Sequence, residues 1–186
     1  MSKLVKFFTW ALVAAGLLGS TATAQAAQPP YQAIAGVPLQ QVSTARFTKW
    51  LWDVYDASLY LPTSTTQDLT QTPLALKLTY LRPLKGHKIA EKSLELMEEQ
   101  RPLTPTQRAE WGKLMHQQFP NVQVGDTITG VRDANGYTTF IINGQPQAEI
   151  TDVAFGRRFF NIWLGEATAE PDLRAALLEN TPYNPQ

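Results

Sequence analysis

The sequence predicts an α+β architecture, an antiparallel sheet covered on one face by a layer of helices, and three stretches carry that prediction. Residues 74–81 alternate loosely, with Leu74, Leu76, Leu78 and Tyr80 of one parity and Lys77 and Thr79 of the other, which is the period of a half-buried strand. Residues 87–99 put Ile89, Ser93, Leu96 and Met97 on one side at helical spacing, while Glu91, Lys92, Glu95, Glu98 and Glu99 fall mostly elsewhere; a helix covering a sheet face follows. Residues 126–151 hold three β-prone runs separated by Asp133-Ala-Asn-Gly136 and by Asn143-Gly144. The second separator is the dipeptide that a two-residue hairpin turn prefers.

The first residues are of another kind. Met1-Ser-Lys-Leu-Val-Lys6 carries two positive charges, residues 7–18 are almost wholly apolar, and Ala24-Gln25-Ala26 supplies small residues at a cleavage position. That order reads as a removable secretory signal over residues 1–26, leaving a periplasmic or secreted chain. The apolar run is well short of the roughly 20 residues a bilayer demands, so no stable membrane span is expected. Residues 27–179 then read as one domain and 180–186 as a flexible tail. A composition of 44% hydrophobic and 17% charged residues fits a globular protein with its own core. There is no cysteine, which excludes a disulfide framework and thiol chemistry. Without Lys3 and Lys6 the 16 basic residues fall to 14 against 16 acidic ones, a formal charge of −2. Such a balance gives no reason to expect nucleic acid or an anionic membrane surface as partner.

Within the domain, residues 27–35 read as a short leader and Gly36-Val-Pro-Leu39 as a turn into the first pairing element. Residues 44–61 form the longest β-prone stretch. Phe47, Trp50, Trp52, Val54, Tyr55, Leu59 and Leu61 do not keep one parity, so two strands, or one with a bulge, are expected to meet near residues 53–56. Pro62 ends that stretch and a polar loop follows to Pro73. After the strand at 74–81, Pro83 and Gly86 mark the break into the helix. Thr104-Pro-Thr-Gln107 is a helix start with a capping box and a proline in the first turn, and Trp111, Leu114, Met115 and Gln118 repeat at helical spacing. Three antiparallel strands are expected at residues 126–132, 137–142 and 145–151. Asp152 caps a last major helix whose Val153, Phe155, Phe159, Phe160, Trp163 and Leu164 leave little face polar. Gly165 stops it, and residues 171–178 offer a short terminal helix.

The inventory for catalysis is thin. His87 and His116 lie on different predicted helices without metal-ligand spacing and read as surface histidines; no metal or other cofactor is expected. Ser58, Ser64 and Ser93 lack a glycine-flanked elbow, and no phosphate-binding or dinucleotide motif is present. Gly125 and Gly130, single glycines near strand ends, read as turn or bulge positions. Asp53 and Asp56 are a close carboxylate pair, but acid–base work needs a cleft and separated pKa values that the sequence does not show. Trp50, Trp52, Tyr55 and Tyr60 cluster in sequence and read as ordinary core in preference to a pocket lining.

Four segments nevertheless resemble a known family. Tyr80-Leu-Arg-Pro-Leu-Lys-Gly-His-Lys-Ile-Ala-Glu-Lys-Ser-Leu-Glu95, Phe119-Pro-Asn-Val-Gln-Val-Gly-Asp126, Asp152-Val-Ala-Phe-Gly-Arg-Arg-Phe-Phe-Asn-Ile-Trp-Leu-Gly165 and Asp53-Val-Tyr-Asp-Ala-Ser-Leu-Tyr-Leu61 are similar to the chalcone isomerase superfamily, and most to its bacterial, exported chalcone isomerase-like branch. The resemblance covers roughly residues 33–179. It implies an open-faced β-sandwich, a large antiparallel sheet covered by a layer of helices, with a ligand cleft between the layers. It also implies that Ile89 stands where the isomerase has a tyrosine, Leu96 where it has an asparagine, and Ile162 where it has a threonine or serine. Tyr55 matches its strand threonine. Fatty-acid-binding relatives use an arginine and a tyrosine for the ligand carboxylate, and Arg46 is the nearest arginine before Tyr55.

These readings lead to a non-catalytic periplasmic protein that binds a small apolar or amphipathic, fatty-acid-like molecule, with Arg46, Tyr55, Ile89, Leu96 and Ile162 as candidate ligand-binding residues. The runner-up is an isomerase or lyase with a relocated acid–base group at Tyr55 or Asp53; the third is a structural or assembly protein without a ligand. No protein partner can be named. An open cleft favours the first reading and a packed interlayer the third. Because three donors are replaced by hydrocarbon, and loss of even one such donor costs about 3 kcal/mol of transition-state stabilisation, purified protein is expected to cyclise chalcones no faster than the spontaneous rate. Saturable, heat-labile conversion in an absorbance assay would refute this.

Overall fold

In a computed structural model, which describes residues 29–63, 68–179, 181 and 183, six strands pair in chain order as an antiparallel meander. They are β1 (Leu39–Lys49), β2 (Trp52–Pro62), β3 (Leu74–Tyr80), β4 (Thr127–Arg132), β5 (Thr138–Ile142) and the two-residue β6 (Gln145–Pro146). The helices are α1 (Pro30–Ala35), α2 (Gly86–Gln100), α3 (Pro105–Gln118), α4 (Val153–Leu164) and α5 (Pro171–Leu178). The signal expected over residues 1–26 lies outside the described residues, as does most of the tail expected at 180–186.

Alternation divides the sheet into two faces. Ala57, Leu59, Leu61, Leu74, Leu76, Leu78, Tyr80, Ile128 and Phe140 share one core with Ala90 and Met97 of α2, Trp111 and Met115 of α3, the aromatic face of α4, and Leu173 and Leu177 of α5. Phe140, Phe155, Phe159, Phe160 and Trp163 meet edge-on or stacked at centroid separations of 4.8–6.2 Å. Each such ring removes a large apolar surface from water, so α4 is the main apolar contribution of the helical layer. The opposite face is not bare. Ala75, Val131 and Ile141 pack there with Ala35 and Leu39, with Tyr31 and Ile34 of α1 alongside.

Helix α1 replaces the expected leader. Six residues without a side-chain cap do not hold a helix by themselves. Contacts with the rest of the chain hold it: the Tyr31 ring lies 4.8 Å from that of Tyr60, and the Gln32 amide both donates to the Leu39 carbonyl at 2.7 Å and accepts from the Leu39 N–H at 2.8 Å.

The β1–β2 connection differs from expectation in position. The chain reverses at Trp50 and Leu51, between Lys49 and Trp52, with Trp50 in the left-handed region at φ 57°. The parity break has a separate cause: Phe47 pairs with Tyr55 but Thr48 pairs with Asp53, so Val54 is an extra residue on β2, a bulge. The last expected strand is also shortened. Pro146 has no N–H to donate, and after the Gln147 N–H bonds to the Phe140 carbonyl at 2.8 Å the chain leaves the ladder, rejoining at the Thr138–Ile150 bridge. The intervening Asn143-Gly144 turn has both residues at positive φ, 47° and 84°, as a two-residue hairpin of this sequence requires.

Helix boundaries follow local chemistry. Thr104 and Gln107 form the reciprocal capping box of α3. Asp152 caps α4 through the N–H groups of Ala154 and Phe155 and accepts from the Trp111 indole at 2.8 Å, so one carboxylate joins two helices. At the far end of the sheet the buried Arg132 guanidinium donates to the carbonyls of Thr72 and Leu69 and lies 5.4 Å from the Phe160 ring centre. Burial pushes it down to about 10.

The start of α2 is fixed by a close approach. A Cβ at Gly86 would stand 2.2 Å from the Phe119 carbonyl oxygen and 2.6 Å from that of Pro120, while the Gly86 N–H donates to Asn121 Oδ1 at 3.0 Å. Because the obstruction is backbone, Gly86→Ala is expected to lower stability by about 1–3 kcal/mol despite alanine's helix propensity. An unchanged midpoint in urea unfolding would show that this approach relaxes freely.

Candidate functional site

The helical layer and the sheet diverge at one edge. A cavity of about 330 Å³ opens between the inner face of β1–β4 and helices α2, α4 and α5. The sheet contributes Phe47, Val54, Tyr55, Leu78, Tyr80 and Ile128; α2 contributes Ile89, Ser93 and Leu96; α4 contributes Phe159, Ile162 and Trp163. Lys49, Lys88, Lys92 and Glu170 are its charged residues. All three lysines are more than half exposed and paired with carboxylates, Lys49 with Glu170, Lys88 with Glu91 and Lys92 with Glu95, so charge stands at the rim and hydrocarbon inside. A wider hollow of about 610 Å³ beside α3 and α4 includes Arg101, Arg157, Arg158 and Glu166. The smaller one has the walls of a ligand site, apolar with a few convergent polar groups.

Four of the five residues singled out in the sequence, Tyr55, Ile89, Leu96 and Ile162, meet in this cavity. Arg46 does not. Phe47 points inward and stacks on Tyr55 at 5.0 Å, so its neighbour Arg46 faces the other side of the sheet. There its Nε and Nη2 donate to the two carboxylate oxygens of Asp56 at 2.8 and 3.1 Å, and its Nη1 donates to Asp53 at 3.0 Å. The hydrogen bond and charge of Asp56 raise the guanidinium above its ordinary value, with Asp53 adding to the effect. The same arrangement places Asp53 and Asp56 away from the cavity. Trp50 and Trp52, expected in the core, are exposed, and Tyr60 faces α1.

Tyr55 has a specific partner: the Trp163 indole donates to its phenolic oxygen at 2.9 Å. Burial raises the Tyr55 phenol well above its ordinary value, partly offset by that bond. Tyr80, whose ring meets that of Tyr55 edge-on at 6.1 Å, is raised by burial in the same direction. Both phenols are therefore protonated at neutral pH. With its oxygen accepting from Trp163, Tyr55 keeps its O–H free to donate. The cavity offers neutral hydroxyl donors from Tyr55, Tyr80 and Ser93, and Ile89, Leu96 and Ile162 are hydrocarbon wall. Neither a nucleophile–base pair in the cavity nor a cluster that could hold a metal ion occurs among the described residues.

Phe47, Tyr80 and Trp163 were not singled out from the sequence as site residues. Inward parity on β1 and β3 marks the first two. Trp163 follows Ile162 directly, and the bond that makes it part of the site joins residues 108 positions apart.

Among curated protein sequences none matches this chain. Among solved structures, a fatty-acid binding protein of Arabidopsis thaliana is similar with a TM-score of 0.58 and 13% sequence identity, the alignment covering 76% of this chain and 86% of that one. At that identity the likeness establishes a shared fold. The family profile described as chalcone isomerase-like matches residues 23–179, and with it the six-stranded antiparallel sheet and its helical layer place the chain in the chalcone isomerase-like family.

Proposed function

We propose that this protein is a non-catalytic binder of a small amphipathic molecule, a fatty-acid-like acid, and that it works in the periplasm after residues 1–26 are removed. The observation that carries the reading is the apolar cavity itself, where hydrocarbon from Ile89, Leu96 and Ile162 surrounds hydroxyl donors and no acid–base pair. The name of the plant neighbour, a fatty-acid binding protein, supports the same ligand class. A space of about 330 Å³ between the layers does not favour a purely structural role, and the position of Asp53 on the opposite face removes the support for a base at that residue.

The ligand's orientation follows from charge. A carboxylate taken deep among hydrocarbon with only neutral donors loses much of its hydration without a compensating cation. Lys49, Lys88 and Lys92 stand at the rim. The acyl chain therefore points inward and the carboxylate stays at the rim near Lys49, where Glu170 must yield part of its hold on the lysine. An inward-pointing carboxylate between Tyr55 and Tyr80 is the competing arrangement.

Calorimetry with medium-chain fatty acids and the matching alcohols tests this. Wild type is expected to bind acids better than alcohols, and Lys49→Gln to bring acids to the level of alcohols. Leu96→Asp, a charge in the apolar wall, is expected to weaken both by roughly tenfold or more, the equivalent of about 1.4 kcal/mol. Arg46→Gln should change neither. Binding of neither class by wild type defeats the reading; a large loss of acid binding in Tyr55→Phe with none in Lys49→Gln reverses the orientation. The intact mass of the exported protein reports its first residue, expected to be Ala27.

A further inference from the structure

We propose that the β1–β2 turn is a bilayer-docking tip, with Trp50, Leu51 and Trp52 inserting into the interfacial layer of a phospholipid membrane and holding the mouth of the cavity against it. The inference deepens the ligand reading and rests on it for its purpose. Trp50, Leu51 and Trp52 are 89%, 94% and 61% exposed, and the other large exposed hydrophobic residues among those described, Val124 and Val153, lie elsewhere. Three consecutive large apolar residues in water are unusual unless something covers them.

The backbone supplies an independent observation. Trp50 occupies the left-handed region at φ 57°, a turn position that glycine or asparagine fills at lower conformational cost. A bulky indole there works against the turn and gains no packing from the protein, so its benefit lies outside the chain.

Shape and chemistry select a bilayer as the occupant. The tip is convex and follows an 11-residue strand, so it can enter a fluid layer but cannot receive a partner's knob. Two further hollows that could receive a second copy's tip carry charge: Arg101, Arg157 and Arg158 in one, Arg132 and Arg174 in the other. At the base of the tip the Arg82 guanidinium lies 5.1 Å from the Trp52 ring centre and forms no ion pair among the described residues. Indole at headgroup depth with a cation beside it is the arrangement that interfacial anchors use. The overall charge balance supplies no long-range attraction, so apolar insertion carries the contact.

Position gives the tip its role. Lys49 on one side and Val54 on the other both line the cavity. Docking the turn brings that rim to the lipid surface, and an acyl chain can pass between bilayer and cavity with little exposure to water.

The test uses the chain as processed by its expression host, with vesicles of phosphatidylcholine and phosphatidylglycerol carrying brominated acyl chains that quench tryptophan on insertion. Wild type is expected to be quenched and to sediment with the vesicles. Trp50→Gly combined with Leu51→Ser should partition roughly tenfold more weakly, with a thermal midpoint equal to or above that of wild type, since glycine suits the positive φ. In vesicle-free solution the same variant should bind fatty acids as wild type does. Equal partitioning of the two chains, no partitioning of wild type, or a tip substitution whose effect is to dissociate a dimer overturns the proposal. If neither chain binds fatty acids, the ligand reading falls separately, and the vesicle comparison still decides whether the tip docks.

Discussion

The close seating of α4 on the sheet sets the rest of the architecture. Two glycines permit it: a Cβ at Gly130 of β4 would stand 3.1 Å from the Phe160 ring, and one at Gly156 of α4 would stand 2.4 Å from Thr138 Oγ1. With these positions bare, the phenyl groups of α4 reach β4 and β5 directly. The approach also buries the Thr138 hydroxyl, which has no protein partner among the described residues; a buried hydroxyl with no partner at all costs about 1–3 kcal/mol. Burial of several aromatic rings outweighs it. One helix is drawn tightly to one part of the sheet, while α2 is held at its start by the backbone around Phe119 and Pro120. The two layers meet closely over β4 and β5 and diverge at one edge around Phe47, Tyr55, Leu78 and Tyr80, and the divergence is the cavity.

Within that frame a few polar bonds decide which groups face the cavity and in what state. The Trp163–Tyr55 bond spans the space from helix to strand and leaves the tyrosine O–H free to donate into the cavity. On the other face, Arg46 pairs with both Asp53 and Asp56 beside the Val54 bulge. That bulge reverses the parity of β2, so Asp53 and Asp56, three residues apart, both meet one guanidinium. These three charges thus lie on the outer face, and the inner face opposite them is left to Phe47 and Tyr55, with Lys49 at the rim.

Where local chemistry decides an element, the sequence shows it. The Thr104–Gln107 box, the Asp152 cap, the Asn143-Gly144 turn and the alternation from Leu74 to Tyr80 are signals of adjacent residues, and each forms its expected element. The misses have non-local causes. Trp50-Leu51 carries no turn residue, so the sequence points to the parity break at residues 53–56 as the place where two strands meet. Helix α1 exists through its packing on the outer face of the sheet and has no cap of its own. Gly130 reads as a turn or bulge glycine in isolation, yet it lies inside β4 because a ring from α4 needs the space. The candidate site divides in the same way. Ile89, Leu96 and Ile162 were identified through a family resemblance, since as isolated apolar residues they are indistinguishable from core. The alternation of Arg46 and Phe47 already opposes a cavity role for the arginine once Phe47 is placed inward.

The absence of Arg46 from the cavity changes what recognition there can be. A buried guanidinium would bring charge, bidentate geometry and a strong preference for a carboxylate over a hydroxyl. The walls instead provide protonated phenols, whose hydrogen bonds hold a carbonyl or hydroxyl about as well as an acid, and hydrocarbon, which measures chain length and shape. Discrimination by charge is thereby displaced to the rim, where Lys49 is already engaged by Glu170. On the proposed fatty-acid reading, the ligand carboxylate would compete with that glutamate in a partly hydrated setting, so the charged contact would set the preference for acid over alcohol while apolar burial would supply most of the affinity. Binding of that kind would be readily reversible, because an acyl chain leaving the cavity for another apolar environment would lose little. A cavity whose affinity comes mainly from hydrocarbon contact is suited to exchange with lipid, and its mouth lies beside the most exposed apolar turn among the described residues.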